Sequence, residues 1–386
     1  MSTTASTQRR IACVQFDSKH ADVSHNIVTV LNLVTEQVLD KRTPINLLVL
    51  PELALTGYLF KTKEEIHPLL EDAHSFTCPD PISPSFAPTG NLNHIESMSS
   101  FLPTFIRACR SSCASSQQPS LTLAFHLAQQ LSSHVVIGFP ERAPNIPALR
   151  SSRGNASPSS PFDARPHEAR SAKTSTMPSE HSAYNSAALF APDRSLLHIF
   201  RKHFLFESDE VWADQGSGFE VLHTPSLGNI CVAICMDLNP FRFRTPFEKY
   251  ELASFCAQKD VDLLVMPMAW LLPKDEKEKI IDKDKAETEH KPSLGTINYW
   301  AMRCMPLFNP QGTPSHAATT ISSNHPSHGG APKTTYFIAT NRAGTERSST
   351  FAGSSCVLQM KMAERPVLLG SLGSAQEGCL VVTLPS

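Results

Sequence analysis

Residues Arg10–Glu52 read RIACVQFDSKHADVSHNIVTVLNLVTEQVLDKRTPINLLVLPE. Arg10–Phe16 is apolar and partly β-branched, which suits a buried strand. Asp22 stands where it can cap a helix, and Ile27, Val30, Leu31, Val34 and Val38 recur at the spacing of one helical face. After a turn at Lys41–Asn46, Leu47–Leu50 forms a second strand that runs into Pro51-Glu52. Parallel strands need a long crossover, so strand–helix–strand favours a parallel pair and an α/β class.

The alternation continues down the chain. Helices are expected over Ile95–Cys113, Leu121–Ser132, Phe247–Gln258 and Leu294–Cys304. Strands are expected over His134–Phe139, Tyr184–Phe190, Leu196–Arg201, Val261–Pro267, Thr335–Thr340, Ser354–Met360 and Cys379–Leu384, with a hairpin turn at Asp193-Arg194. Arg142–His181 is dominated by Ser, Pro, Ala and Arg. It cannot bury enough surface to offset chain entropy, so 142–181 is expected to be a disordered insertion. Charged or polar loops are expected at 273–292 and 309–333. No tandem repeat is visible and the alternation resumes after the insertion, so residues 1–386 read as a single domain.

Composition narrows the function. With 41% hydrophobic residues the chain can build a sizeable core, and a net charge of -2 without a basic stripe argues against nucleic acid. No apolar run approaches the ~18 residues that span a bilayer, so no membrane partner is expected. The ten cysteines lack the regular spacing of a disulfide framework. A bridge between Cys231 and Cys235 fails on reach, since four residues of strand separate their Cα atoms by ~13 Å against a limit of ~7 Å. No HExxH occurs, and Cys109 and Cys113 find no partners for a zinc set. A reducing, cytoplasmic setting fits. Met1–Arg10 is Ser/Thr-rich and free of acids, faintly like a mitochondrial presequence, but Ile11 already begins a strand.

Three stretches carry chemistry. In Ile230–Phe243, Ile230, Val232 and Ile234 alternate with small residues until Asn239-Pro240 breaks the ladder, placing Cys235 where a buried strand ends. A thiol there is either a small buried hydrophobe or a nucleophile. Glu52 is carried from the core to its rim, where desolvation would make it a stronger base, although a Glu after a strand is often only a helix cap. Lys202, in Phe200-Arg201-Lys202-His203-Phe204-Leu205-Phe206, is either a snorkelling surface cation or an ammonium that stabilises an oxyanion. Together Glu, Lys and Cys at three strand ends suit amide hydrolysis through a thioester.

These residues resemble the nitrilase, or carbon–nitrogen hydrolase, superfamily. The matching motifs are Leu50-Pro51-Glu52-Leu53 with Thr56-Gly57-Tyr58, Arg201-Lys202-His203-Phe204, and Cys235-Met236-Asp237-Leu238. The resemblance implies a four-layer αββα sandwich and a Glu52–Lys202–Cys235 triad, with Glu141 of Gly138-Phe139-Pro140-Glu141 as an auxiliary acid that orients Lys202 or the substrate amide. It implies no cofactor.

Met236 and Asn239 stand where many members carry an aromatic residue and an Arg, which argues against the commonest small-amide amidases. Within the superfamily the chain is similar to the fungal amidases of N-terminal Asn and Gln. That likeness lies in Cys235–Phe243, in Glu207-x-Asp209-Glu210-x-Trp212-Ala213, in Met268-Ala269-Trp270-Leu271, and in Asn341-Arg342-x-Gly344-x-Glu346 with Phe351-x-Gly353-Ser354-Ser355. It implies protein or peptide substrates with N-terminal Asn or Gln, and a product that feeds an N-degron pathway.

An N-terminal residue presents an α-ammonium, and Asp237 is the candidate acid to pair with it; the competing role is a structural acid binding backbone at the strand end. The Met236 N–H is expected to help hold the oxyanion. Tyr58 and Trp270 either wall the pocket or pack in the core. Two other functions fit the same residues: an amidase of free small-molecule amides, and a catalytically inactive binding paralogue. The superfamily often pairs subunits, and the long loops here could block or replace that interface.

Overall fold

The computed structural model describes residues 8–39, 41, 44–82, 95–143, 183–273, 290–309 and 332–385. The expected insertion therefore lies outside the described residues except for Arg142 and Ala143, and most of the loops expected at 273–292 and 309–333 do too.

Two six-stranded sheets form the middle of the molecule. The first contains β1 (Arg10–Gln15), β2 (Leu47–Val49), β3 (His134–Arg142), β4 (Ala183–Phe190), β5 (Leu196–Arg201) and β14 (Gly378–Thr383), in the order β14-β1-β2-β3-β4-β5. The second contains β6 (Leu222–Thr224), β7 (Gly228–Val232), β8 (Leu263–Met268), β9 (Thr334–Asn341), β12 (Cys356–Lys361) and β13 (Val367–Ser371), in the order β13-β12-β9-β8-β7-β6. A two-residue ribbon, β10 (Thr345–Glu346) with β11 (Ser349–Thr350), lies apart from both. The expected β1–β2 pair is parallel, as are β2–β3, β7–β8 and β8–β9.

Strand alternation explains the layers. Ile11, Cys13, Leu47 and Val49 face the second sheet, while Ala12, Val14, Leu48 and Leu50 face the opposite way. Onto that outer face pack α1 (Val23–Val34), α3 (Ile95–Ser115) and α4 (Pro119–Leu131), α2 being the short turn Lys63–Ile66. The Asp22 carboxylate caps α1, accepting from the His25 N–H at 3.0 Å. On the second sheet, α5 (Glu251–Gln258) contributes Leu252, Ala253 and Cys256, and α6 (Leu294–Arg303) contributes Ile297 and Trp300. The sandwich is αββα.

Local departures have local causes. β3 continues past Phe139 to Arg142 because β4 pairs with it along its whole length, up to Arg142 opposite Ala183. The helix expected over Phe247–Gln258 breaks at Tyr250, whose φ of 43° is left-handed, and only the second half is α-helical. The edge strands β6 and β13 escaped the sequence pattern; β13 leaves Val367 and Leu368 exposed, so it has no buried face to impose alternation.

Candidate active site

The three groups far apart in sequence meet at one end of the inter-sheet layer. Glu52 follows β2 by way of Leu50 and Pro51, and its backbone docks against Gly138 of β3. A Cβ at 138 would lie 2.6 Å from the Pro51 carbonyl oxygen and 2.7 Å from the Glu52 Cα, so the close approach needs glycine. Lys202 is one residue beyond β5 and continues the inward parity of Phe200. Cys235 lies three residues past the end of β7 and opens a one-turn 3-10 helix, Cys235–Leu238. Its φ of 43° is rare for a residue with a side chain and turns the thiol out of the strand direction.

Hydrogen bonds lock the cluster. The Lys202 ammonium donates to Glu52 Oε1 at 2.6 Å and to Asp209 Oδ2 at 2.5 Å. The Asn185 amide donates to the same Glu52 oxygen at 2.8 Å and to Asp209 Oδ1 at 3.0 Å. The backbone N–H of Ala269, just past β8, donates to Glu52 Oε2 at 2.8 Å, and Ala269 lines the same cavity as Cys235. The Tyr58 hydroxyl donates to Asp209 at 3.3 Å, and the Lys202 ammonium lies 5.4 Å from the Tyr58 ring centre.

The side chains of Glu52, Lys202 and Asp209 are fully buried, and burial governs their electrostatics. It raises the Glu52 carboxyl, opposed by the adjacent Lys202 and reinforced by Asp209. For Lys202, burial alone would depress the ammonium, yet the facing carboxylates of Asp209 and Glu52 hold it well above the usual lysine range. Burial, then the Glu52 charge, pushes the Cys235 thiol well above its ordinary value. The resting sulfur is thus a protonated thiol beside a strengthened base, not a free thiolate.

Cys235 opens onto a cavity of about 500 Å³. Met236, Tyr58 and Trp270 line it, joined by Phe206, Phe243, Asn239 and Tyr299. The Tyr299 hydroxyl donates to Asn239 Oδ1 at 2.7 Å, fixing one wall. Trp270 is held through its backbone: its N–H donates to Asn341 Oδ1 at 2.7 Å, and the Asn341 amide returns a bond to its carbonyl at 3.2 Å.

Two expectations are corrected. Asp237 does not line the cavity. Its Oδ1 accepts from the His203 and Phe204 N–H groups at 3.0 and 2.7 Å, and its Oδ2 from the Ile234 N–H at 2.8 Å. It staples the turn of the thiol to the segment after Lys202, and burial raises it to about 6. Glu141 does not meet Lys202. On β3 it shares the outward parity of Val135, Ile137 and Phe139, so its carboxylate reaches Arg201 at 2.5 and 2.8 Å and the Ser186 hydroxyl at 2.6 Å.

The acid beside Lys202 is Asp209, which the sequence reading placed in a motif without giving it a role. Its signal was spacing: it follows Lys202 by seven residues, within a turn that brings the chain back to the ammonium. Asn185 had no such signal, being one polar residue in an apolar strand. Among the described residues no group of three or more His, Cys, Asp or Glu is placed to hold a metal ion.

A family model described as carbon-nitrogen hydrolase matches residues 10–240, more than half of the chain. The chain belongs to the carbon–nitrogen hydrolase family. A protein N-terminal amidase of Schizosaccharomyces pombe is 29% identical over 384 residues, covering 96% of this chain and 98% of that one. The protein N-terminal amidase of Saccharomyces cerevisiae is 32% identical over 110 residues, 24% of each chain. Among solved structures, an N-terminal amidase with an Asn-Glu-Ala peptide superposes with a TM-score of 0.66 at 18% identity, covering 98% of this chain and 97% of that one. At that identity the likeness speaks for the fold, and it supports the αββα sandwich. No helix among the described residues is long and apolar enough to cross a membrane.

Proposed function

We propose that this enzyme hydrolyses the side-chain carboxamide of N-terminal Asn and Gln in proteins or peptides, releasing ammonia and leaving N-terminal Asp or Glu. The observation that carries the reading is the buried Glu52–Lys202 pair, 2.6 Å apart, held by the N–H of Ala269, which lines the same cavity as Cys235. The relative 29% identical over nearly the full length of both chains, named as a protein N-terminal amidase, supports the substrate class.

Glu52 takes the thiol proton as Cys235 attacks the carboxamide carbon. Lys202 and the Met236 N–H stabilise the oxyanion; Met236 precedes the first closed bond of its 3-10 turn, so its donor has no acceptor within the turn. Glu52 then gives its proton to the leaving nitrogen, and ammonia departs as the thioester forms. A water activated by Glu52 attacks the thioester, the carbon–sulfur bond breaks, and the sulfur regains its proton. Asp209 keeps Lys202 charged and aimed; Glu141 acts at a distance by holding Arg201, next in the chain to Lys202.

With Asp237 committed to backbone, no carboxylate lines the cavity among the described residues. The substrate α-ammonium then meets the faces of Trp270 and Tyr299, whose centroids are 5.6 Å apart, and the oxygen of Asn239. Ten free cysteines suit a reducing cytoplasmic setting, where the acidic N-terminal product would enter an N-degron pathway.

The test is ammonia release from peptides beginning with Asn, Gln and acetylated Asn, and from free asparagine. Turnover of the first two with loss on acetylation is expected. Turnover of free amides alone would replace this reading with that of a small-molecule amidase, and inertness toward all four, with Cys235 unlabelled by an amide-mimicking electrophile, with that of a binding paralogue.

A further inference from the structure

A second cavity, of about 550 Å³, is lined in part by residues next in the chain to those of the first, and nothing in the triad chemistry uses it. Its walls continue those of the catalytic cavity. Tyr58 lines the first and Leu59 the second; Phe206 lines the first and Glu207 the second. A third wall crosses over through the chain beside Leu271: Leu271 bridges to Phe351, and the Leu272 N–H bonds the Thr350 carbonyl at 2.8 Å, next to Ser349 of the second cavity. One hydrophobic cluster underlies both, holding Tyr58, Phe206, Ala269 and Leu271 together with Leu59 and Phe60.

The surface of this second cavity is mixed. Val211, 39% exposed, and the buried Phe60 give it apolar surface. Lys61, Glu207 and Arg347 stand around it, Arg347 being already paired with Glu65 at 3.1 Å. The balance of charge selects neither an acidic nor a basic ligand, so the apolar patch decides the preference.

We infer that this second cavity receives the downstream part of the substrate chain, with an apolar side chain at the third position seated on Leu59 and Val211. The inference rests on the N-terminal amidase reading. A substrate residue whose carboxamide lies at Cys235 must lead its peptide out of the first cavity, and three chain segments that run from one lining to the other mark the way. Contacts remote from the reacting carbon raise kcat/KM without altering the chemistry.

The test compares Asn-Gly, Asn-Gly-Gly and Asn-Gly-Leu peptides, with the carboxyl end amidated, in the full-length protein and its Val211→Asp variant. In the wild type, kcat/KM should rise about fivefold from Asn-Gly-Gly to Asn-Gly-Leu, the order expected for burying part of one aliphatic side chain. The variant should lose most of that rise while turning over Asn-Gly within about twofold of the wild type; the Asn-Gly rate also reports that it is folded. Equal kcat/KM for the two tripeptides, or a rise that survives the substitution, overturns the inference while leaving the amidase reading intact. Failure to turn over any of the three removes the amidase reading and this inference with it.

Discussion

At the scale of single residues, the arrangement divides the acids by what faces them. Glu52 faces an ammonium and two neutral donors, Asp209 an ammonium and three neutral donors, and Asp237 three backbone N–H groups. Asp209→Asn removes a charge that raises both Glu52 and Lys202. Both limbs of the pH–kcat/KM profile should therefore move to lower pH, with kcat falling on the order of a hundredfold. An unchanged profile would show that Asp209 only packs. Asp237→Ala strands up to three buried N–H groups, so it should cost roughly 2–4 kcal/mol of unfolding free energy, read by denaturant titration. The ratio of rates on free and acetylated Asn peptides should stay as in the wild type, because this carboxylate does not meet the ammonium.

At the scale of elements, the site hangs on strand ends. β2 delivers Glu52, β7 leads to Cys235, and β8 to Ala269, all at the carboxyl ends of strands in parallel pairs, where α/β folds leave room for ligands. Gly138 lets β3 lie against the Glu52 backbone, accepting from the Ala54 N–H at 3.0 Å. Gly138→Ala should displace the carboxylate by a fraction of an ångström to an ångström and lower kcat by about tenfold to a hundredfold. Steady-state kinetics beside a circular dichroism spectrum would check this: native helix content with impaired kcat is the expected pair of results. The Gly138-Phe139-Pro140-Glu141 motif was legible in sequence, but its contribution to the site comes from the glycine at its head, while the carboxylate at its end turns outward to Arg201.

At the scale of the whole molecule, the sandwich is closed by its last strand. β14 pairs antiparallel with β1 from Arg10–Thr383 to Gln15–Gly378, and it brings Val382 and Leu384 into the core between the sheets. Deleting residues 378–386 would bare the edge of β1 and open that core, so the truncated chain should aggregate and lose cooperative unfolding. A soluble, cooperatively unfolding product would refute the idea that this strand completes the fold. The parallel pair β1–β2, the cap at Asp22 and the strands leading to Glu52, Lys202 and Cys235 were readable because apolar spacing and turn chemistry are local. So was the family, since its motifs are contiguous. What each side chain faces was not local. Strand parity, set by the pairing of β3 and β5 on either side of β4, turned Lys202 inward and Glu141 outward, and the return of the chain at Asp209 gave Lys202 its second carboxylate. The order of residues determined which groups were available for the chemistry; the packing of two sheets decided which of them meet, because a side chain's partner depends on the face it occupies and no run of neighbouring residues records that face.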